Sequence, residues 1–184
     1  KNILNFWFEE TLPKEQFSQS KIFDEKKRKK FYDDYKKAIN NKYDEWQNHP
    51  EECLALIILL DQFSRNLFRA NSKAFAMDNK SRQVAKHAIK KKFHMELPQN
   101  WIMFIFLPFM HSEDLNDQKY CKKLIDKYLI NQPSYQDAKK FSNIHYDIIY
   151  KFGRFPYRNK VMGRKNTKKE EEYLKSNYYD FFKI

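Results

Sequence analysis

The stretch Leu60–Arg69, LDQFSRNLFR, decides how the rest of the chain is arranged. It follows the apolar run Cys53–Leu60, CLALIILL, which is typical of a helix with neighbours on every side. Pro50 and the two glutamates after it are typical of a helix start. We therefore predict a central, buried helix from Pro50 to about Arg69 whose last turns carry polar side chains.

The polar residues of this stretch recur at helical spacing. Gln62, Asn66 and Arg69 fall on one line along the helix, and Asp61 and Arg65 fall on the neighbouring line. An exposed ion pair between Asp61 and Arg65 would contribute about 0.5 kcal/mol at most and would carry no function. At the end of a buried helix, the same side chains form one wall of a candidate binding site.

Composition favours helices with few and tight connections. The chain has 184 residues, and we expect a single domain over residues 1–184. It contains 2 Gly and 6 Pro, whereas aromatic residues make up 17% of the chain, and no segment alternates as a strand does. The sequence therefore predicts an all-α protein of about seven to eight helices, stacked as antiparallel hairpins in a bundle or a short solenoid.

The end of the chain carries a clear helix start. Residues 167–170, TKKE, form a capping box, in which a threonine and a glutamate satisfy each other's backbone N–H groups. The apolar stripe of the predicted terminal helix consists of Tyr173, Leu174, Tyr178 and Phe181.

The formal net charge of +12 comes mainly from lysine, since only 7 of the 36 basic residues are arginine. The lysines are spread through nearly every segment and mixed with acidic residues, as on a solvated surface. Aromatic residues such as Phe31 and Tyr35 fall on core stripes, so we do not predict specific nucleic-acid binding. Five of the arginines lie in two short stretches, where bidentate geometry gives them a role that lysine cannot fill: Arg65, Arg69, Arg154, Arg158 and Arg164.

The chain contains no recognisable metal, cofactor or membrane motif. Cys53 and Cys121 lie on apolar stretches and match no metal or redox spacing, so we expect buried thiols in a reducing compartment. The longest apolar runs, Cys53–Leu60 and Trp101–Met110, are too short to span a bilayer. We expect a cytoplasmic protein without membrane insertion, a cofactor or a bound metal.

A second polar stretch is Phe106–Asp114, FLPFMHSED. Pro108 kinks or ends an apolar helix because it removes a backbone donor, and His111, Ser112 and Glu113 follow at the junction. We expect Ser112 to cap the next helix. Backbone N–H groups that a kink leaves free either bind an anion or are capped locally.

A third polar stretch is His145–Asn159, HYDIIYKFGRFPYRN. It contains Gly153, and Gly163 follows it, so both glycines of the chain lie here beside arginines. In a chain that avoids glycine elsewhere, the two positions predict a positive φ angle or a close backbone approach.

These three stretches resemble the signature motifs of the bacterial domain-of-unknown-function family 924. The resemblance includes the opening Phe6–Phe8 and the closing Thr167–Glu172, so it extends over essentially the whole chain. It implies a helical fold similar to tetratricopeptide proteins, and it implies no particular activity. Ser64 departs from the family's first motif, in which proline is expected at this position.

We predict that the three stretches converge on one polar pocket. Arg65, Arg154 and Arg158 would bind a carboxylate or phosphate of a small anionic molecule or a peptide, and Asn66 and Asn159 would orient it. The candidate ligand-binding residues are Asp61, Gln62, Arg65, Asn66, Arg69, His111, Ser112, Glu113, His145, Arg154, Arg158 and Asn159.

Two alternatives stay open at this point. The first is a hydrolase-type enzyme with His111 or His145 as the general base and with Glu113 or Asp61 orienting it or holding a metal. The second is a purely structural role, in which the charged side chains pair with one another and lock the hairpins together. The residues do not indicate an oligomeric state.

Overall fold

The computed structural model describes residues 2–18 and 20–176. These residues form helices and connecting turns and contain no strand, which confirms the all-α class. The α-helices are α1 Asn2–Phe8, α2 Pro13–Gln16, α3 Lys21–Ile39, α4 Pro50–Ile58, α5 Ser64–Leu67, α6 Asp78–Lys90, α7 Met103–Met110, α8 Leu115–Tyr128, α9 Tyr135–Phe152 and α10 Lys168–Lys175. Single 3₁₀ segments lie at Asp44–Asn48, Ser72–Phe75, Phe93–Met95 and Pro156–Arg158.

The central helix begins at Pro50, as predicted, and Cys53–Leu60 is buried along its whole length. It does not continue as one α-helix to Arg69. Leu59–Phe63 forms a π-helical turn that joins α4 to α5, and α5 ends at Leu67. A π-helical turn inserts an extra residue into a helix, and such turns are frequent at functional sites.

An aromatic cluster fixes the π-helical turn from one side. Phe63 lies in the turn, and its ring centroid lies 5.4 Å from that of Trp7 and 5.2 Å from that of Phe31. All three side chains are almost completely buried, and full burial of a large apolar side chain contributes about 1.5–3 kcal/mol. The core thus holds in place the backbone that carries Asp61.

The helices pack mainly against their neighbours in the chain. α4 packs against α6 and α7, and α7, α8 and α9 pack on one another in that order. Such contacts are those that helical hairpins require. The tetratricopeptide-like form of the stacking stays a prediction.

The helix near the C-terminal end begins as the sequence predicted. Thr167 accepts a hydrogen bond from the backbone N–H of Glu170, whose carboxylate accepts one from Thr167, so the capping box of α10 is confirmed. Tyr178 and Phe181, expected on the same helix, lie outside the described residues. In residues 2–18 and 20–176, no helix is both long and apolar enough to cross a membrane.

Candidate functional site

The π-helical turn places Asp61 and Gln62 side by side in the interior. Asp61 is 1% exposed, and the amide of Gln62 donates to its Oδ2 at 2.6 Å. The Ser64 hydroxyl satisfies the turn's own backbone, because it donates to the carbonyl oxygen of Leu60 at 2.7 Å. The turn therefore directs the Asp61 carboxylate to the interior, while the carbonyl oxygens of Leu60 and Asp61 accept from the Ser64 hydroxyl.

The Asp61 carboxylate faces His111. Nδ1 of His111 lies 2.8 Å from Oδ1 and 3.0 Å from Oδ2 of Asp61. His111 directly follows Met110, the last residue of α7, and is the C-cap of that helix. Because a carboxylate can only accept, Nδ1 is the protonated nitrogen of the ring.

The electrostatics favour a charged Asp61 and a neutral His111. Burial acts to raise the pKa of Asp61, but the Arg65 guanidinium and His111 hold it well below its ordinary value. Burial lowers the pKa of His111, and Arg65 lowers it further, whereas Asp61 acts in the opposite direction. At neutral pH the pair is thus a carboxylate and a neutral imidazole whose Nε2 carries a lone pair.

Two arginines surround this pair and share one carboxylate. Nη1 of Arg65 lies 3.2 Å from Oδ1 of Asp61 and 2.9 Å from Oδ1 of Asp78. Nη1 of Arg158 donates to the other oxygen of Asp78 at 3.0 Å, and its Nη2 donates to the carbonyl oxygen of His111 at 3.0 Å. Asp78 therefore joins the start of α6 to the polar end of the central helix and to the third stretch.

Arg158 is held between aromatic rings. Its guanidinium carbon lies 4.5 Å from the ring centroids of both Phe75 and Phe155. Cation–π contacts of this kind fix the plane of the guanidinium as well as adding attraction. Even so, Nε of Arg158 and Nη2 of Arg65 are buried and donate to no group among the described residues.

His145 completes the inner side of the cluster. Its ring centroid lies 6.1 Å from that of His111, and its Nδ1 donates to the carbonyl oxygen of Phe141 at 2.8 Å. Burial, together with His111, lowers the pKa of His145 to about 3. His145 is therefore neutral throughout the physiological pH range.

We refer to these side chains as the dyad network: Asp61, Gln62, Arg65, Asp78, His111, His145 and Arg158. Its two carboxylates and two guanidiniums balance in formal charge when both histidines are neutral. The network is densest at Asp61 and opens towards solvent at His111 and Asp78, whose side chains are 15% and 17% exposed.

Two candidates from the first stretch face another part of the molecule. Oδ1 of Asn66 accepts a hydrogen bond from Nζ of Lys27 at 2.8 Å. Arg69 makes a bidentate pair with Asp24 at 2.7 and 3.1 Å. Both partners lie on α3, so this side of the helix binds α3 and does not face the dyad network.

The three candidates from the second stretch have different partners, and only His111 contacts Asp61. The Ser112 hydroxyl donates to Asp117 at 2.8 Å, and its oxygen accepts from the backbone N–H of Asp114 at 3.2 Å. The predicted Ser112 cap is wrong, because α8 begins at Leu115 and is capped by Asp114, whose carboxylate accepts from the N–H of Asn116.

Glu113 connects the second stretch to the third. It accepts two hydrogen bonds from Arg164 at 2.7 and 3.0 Å and one from the backbone N–H of Phe155 at 2.8 Å. Although burial acts to raise it, these bonds lower the pKa of Glu113. Because the Glu113 carboxylate already accepts three hydrogen bonds, it serves as a structural link between the second and third stretches and is not available to orient His111.

The remaining candidates form local contacts in the third stretch. Arg154 makes a bidentate pair with Glu170 at 2.7 and 2.9 Å, and the Asn159 amide donates to Asn166 at 2.7 Å. Gly153 and Gly163 both have the positive φ that their positions predicted, at 69° and 66°. The structure thus brings Asp61, Gln62, Arg65, His111, His145 and Arg158 together and places the other six candidates in separate pairs.

Sequence reasoning missed Asp78 and Lys27. Asp78 is the first residue of α6, where an acidic residue is expected for the helix dipole alone, so nothing in its position indicates two arginine partners. Lys27 is one of many lysines on α3, and it differs only in falling on the apolar stripe with Phe23 and Phe31. That stripe was the available signal for a buried lysine.

Two surface grooves lie apart from the dyad network. One, of about 670 Å³, runs between α9 and α10, and the other, of about 290 Å³, lies between α1 and Trp101. Neither is lined by a residue of the network. Across the described chain, no group of three or more His, Cys, Asp or Glu side chains is placed to hold a metal ion.

Comparisons with known proteins agree with this architecture. A solved structure of a protein of unknown function from Agrobacterium tumefaciens is similar, with a TM-score of 0.86, 33% sequence identity and coverage of 95% of both chains. A search of curated proteins gives no match. The family model described as "Bacterial protein of unknown function (DUF924)" matches residues 3–177. The chain therefore belongs to this family of bacterial proteins, as its three polar motifs predicted.

Proposed function

We propose that the protein is a hydrolase-type enzyme that acts on a small molecule, with His111 as its general base. The observation that carries the proposal is the contact between Nδ1 of His111 and the buried Asp61 carboxylate at 2.8 Å. A carboxylate in this position fixes the tautomer of the ring and stabilises the imidazolium that forms when the ring takes a proton.

The chemistry follows from the free nitrogen of the ring. Nε2 of His111 accepts a proton from a water molecule while the water oxygen attacks a carbonyl or phosphoryl centre of the substrate. The same proton then passes from the imidazolium to the leaving group. Burial and Arg65 lower the pKa of His111, which keeps the ring in its basic form at neutral pH.

The arginines would supply the electrostatic part of this reaction. Attack on a carbonyl or phosphoryl centre develops negative charge on oxygen, and buried donors that are fixed in advance stabilise it. Nη2 of Arg65 and Nε of Arg158 are two such buried donors within the dyad network. Their guanidiniums are already positioned by Asp61, by the carbonyl oxygen of His111 and by two aromatic rings.

The same two donors favour a second candidate, which is binding of a small anionic ligand or a peptide carboxylate without chemistry. Arginines that retain unused N–H groups next to a partly exposed rim are typical of oxyanion recognition. Arg154 does not take part in this version of the site, since Glu170 occupies it.

A panel of small esters, amides and phosphate esters tests the enzyme proposal. We expect His111→Gln and Asp61→Asn to lose hydrolysis by a factor of at least about 100, while His87→Gln, which changes a histidine outside the network, retains it. Folding of each variant is checked by circular dichroism and thermal unfolding. Wild-type protein without activity on the panel, or folded His111→Gln with undiminished activity, would contradict the proposal.

A further inference from the structure

Asp78 makes contacts of the kind that a bound oxyanion would make. Its two carboxylate oxygens lie 2.9 Å from Nη1 of Arg65 and 3.0 Å from Nη1 of Arg158. These arginines come from segments that are far apart in the chain, and one carboxylate bridges them. Carboxylates and phosphates are bound by arginine pairs in this arrangement.

The arginine pair does not depend on Asp78 for its position. Arg65 also donates to the carbonyl oxygen of Asp61 at 2.8 Å and lies against its carboxylate. Arg158 also donates to the carbonyl oxygen of His111 and lies between the rings of Phe75 and Phe155. If Asp78 moved away, the two guanidiniums would stay where they are and would lack a counter-charge.

The donors and the acceptors at Asp78 are poorly matched, because its buried Oδ1 lies 2.9 Å from Nη1 of Arg65 but accepts no hydrogen bond among the described residues. Nη2 of Arg65 and Nε of Arg158 are buried and donate to no group among the described residues. Arg158 is 4% exposed, and the Arg65 side chain is nine-tenths buried. A tetrahedral oxyanion has more acceptor oxygens than a carboxylate and satisfies donors that Asp78 leaves unused.

Asp78 is also the member of this contact nearest to solvent. Its side chain is 17% exposed, whereas that of Asp61 is 1% exposed. Asp78 is the first residue of α6, and no side chain makes a capping hydrogen bond to this helix. The Asp78 carboxylate contacts the two arginines instead. Uncovering the arginine pair would therefore require this one partly buried side chain to rotate away.

We propose that Asp78 is a built-in counterion that occupies an oxyanion site between Arg65 and Arg158, and that a carboxylate or phosphate group of a ligand takes its place. The inference rests on the second candidate function, anion binding, and adds its regulation. Wild-type protein binds oxyanions weakly because each must compete with Asp78, whose local concentration is high. Removing the Asp78 carboxylate converts the pair into an open site.

The test is rescue of Asp78→Ala by added anions, followed by thermal unfolding. Sodium acetate and sodium phosphate are titrated separately at ionic strength held constant with sodium chloride. We expect the melting temperature of the variant to lie below that of wild type, to rise with the logarithm of the anion concentration, and to regain about 3–6 °C at tenfold the dissociation constant, with a smaller rise in wild type. A response to acetate alone identifies a carboxylate site, and a stronger response to phosphate identifies a phosphate site.

Asp24→Ala is the matched control, because it removes a similarly buried carboxylate that faces one arginine, Arg69. We expect a markedly smaller anion response from it. An Asp78→Ala response no larger than that of wild type or of Asp24→Ala would overturn the inference. If Asp78→Ala does not fold, Asp78→Asn is titrated with phosphate by calorimetry, and absence of binding there overturns it equally.

A second variant separates this inference from the enzyme proposal. Adding His111→Gln to Asp78→Ala leaves both arginines in place, so we expect anion rescue to persist whether or not His111 is a general base. Adding Arg158→Ala removes half of the site, and we expect rescue to be lost. Rescue that survives Arg158→Ala would contradict the assigned location.

Discussion

The arginines of this protein bind carboxylates in two different ways. Arg69 with Asp24 and Arg154 with Glu170 are one-to-one bidentate pairs, each joining two segments. Arg65 and Arg158 instead share Asp78, and each keeps a buried N–H that donates to no described group.

The difference separates structural contacts from a candidate site. In the Arg69 and Arg154 pairs both oxygens of the carboxylate are used, and neither arginine keeps a buried N–H without an acceptor among the described residues. Arg164 is intermediate, because it is bidentate to Glu113 and still keeps a buried Nε–H that donates to no described group. A shared carboxylate with spare buried donors leaves unsatisfied groups in the interior, each of which costs about 1–3 kcal/mol, and a functional role would explain why that cost is retained. We therefore propose that function lies at the dyad network and that the α3 contacts and the Arg154 pair contribute to stability.

The largest expected effect is from Asp61→Ala. Removing this fully buried carboxylate leaves the His111 N–H without its acceptor and leaves Arg65 with Asp78 as its one remaining carboxylate, and we expect a loss of about 3–5 kcal/mol in the free energy of unfolding. Urea denaturation monitored by circular dichroism measures it. A loss below about 1 kcal/mol would show that the dyad network does not have the contacts described.

The next largest effect is expected from His145, whose protonation lowers the free energy of unfolding as the pH falls. Its pKa is about 3 in the folded protein and ordinary in the unfolded chain, so the unfolded chain binds more protons between about pH 6.5 and 3. Stability is therefore fully present above about pH 6.5 and declines as the pH falls, by about 1 kcal/mol per pH unit from this group.

The variant His145→Gln, whose side chain does not titrate, measures this contribution. We expect its stability to depend less steeply on pH between 6.5 and 3 than that of wild type, in urea denaturation at a series of pH values. His49→Gln, at an exposed histidine, serves as the control. Identical slopes for wild type and His145→Gln would contradict the buried, neutral assignment.

Lys27 predicts an effect of the same slope on the alkaline side, and its total is smaller because it is measured only between about pH 7 and 9. Burial lowers its pKa to about 7, against an ordinary value near 10.5 in the unfolded chain. Its Nζ lies 3.8 Å from the ring centroid of Phe23 and bonds Asn66. Between these pH values the unfolded chain holds the extra proton, so stability rises with pH by about 1 kcal/mol per unit.

Lys27→Met, which keeps the length of the side chain without its charge, should flatten the dependence of stability on pH between about 7 and 9. Lys29→Met, on the exposed side of the same helix, is the control. A rise in stability with pH that persists unchanged in Lys27→Met would assign the effect to another group.

The smallest effect is expected for Asp24→Ala. Its pair with Arg69 is less buried than Asp61, with side chains 13% and 23% exposed against 1%, so water reaches part of the lost contact. We expect a loss of about 1 kcal/mol in urea denaturation, well below the loss for Asp61→Ala. Equal losses for the two variants would remove the distinction between the two kinds of arginine contact.

The sequence predicted the central helix and the meeting of its polar end with the second and third stretches. It did not predict the π-helical turn, because no residue pattern distinguishes Leu59–Phe63 from ordinary helix. That turn interrupts the predicted line of Gln62, Asn66 and Arg69, so Gln62 bonds Asp61 while the other two side chains bind α3.

The sequence also did not predict which distant residues pair with the arginines. Asp78 lies 80 residues from Arg158 and looks like an ordinary acidic residue at a helix start. Arg154 and Arg158 look alike in sequence, yet the first binds Glu170 and the second enters the network, because Arg158 belongs to the 3₁₀ turn after the Gly153 stop. Pairing of this kind depends on tertiary packing and is absent from local patterns.

The protonation of His111 tests the central claim most directly. Nitrogen-15 NMR of the histidine side chains, with His111 assigned from His111→Gln, distinguishes the two neutral tautomers from imidazolium over a pH titration. We expect the Nδ1–H tautomer at pH 7, a pKa below the ordinary value near 6.5, and a changed spectrum in Asp61→Asn. An imidazolium at pH 7, or a neutral ring protonated on Nε2, would contradict the account.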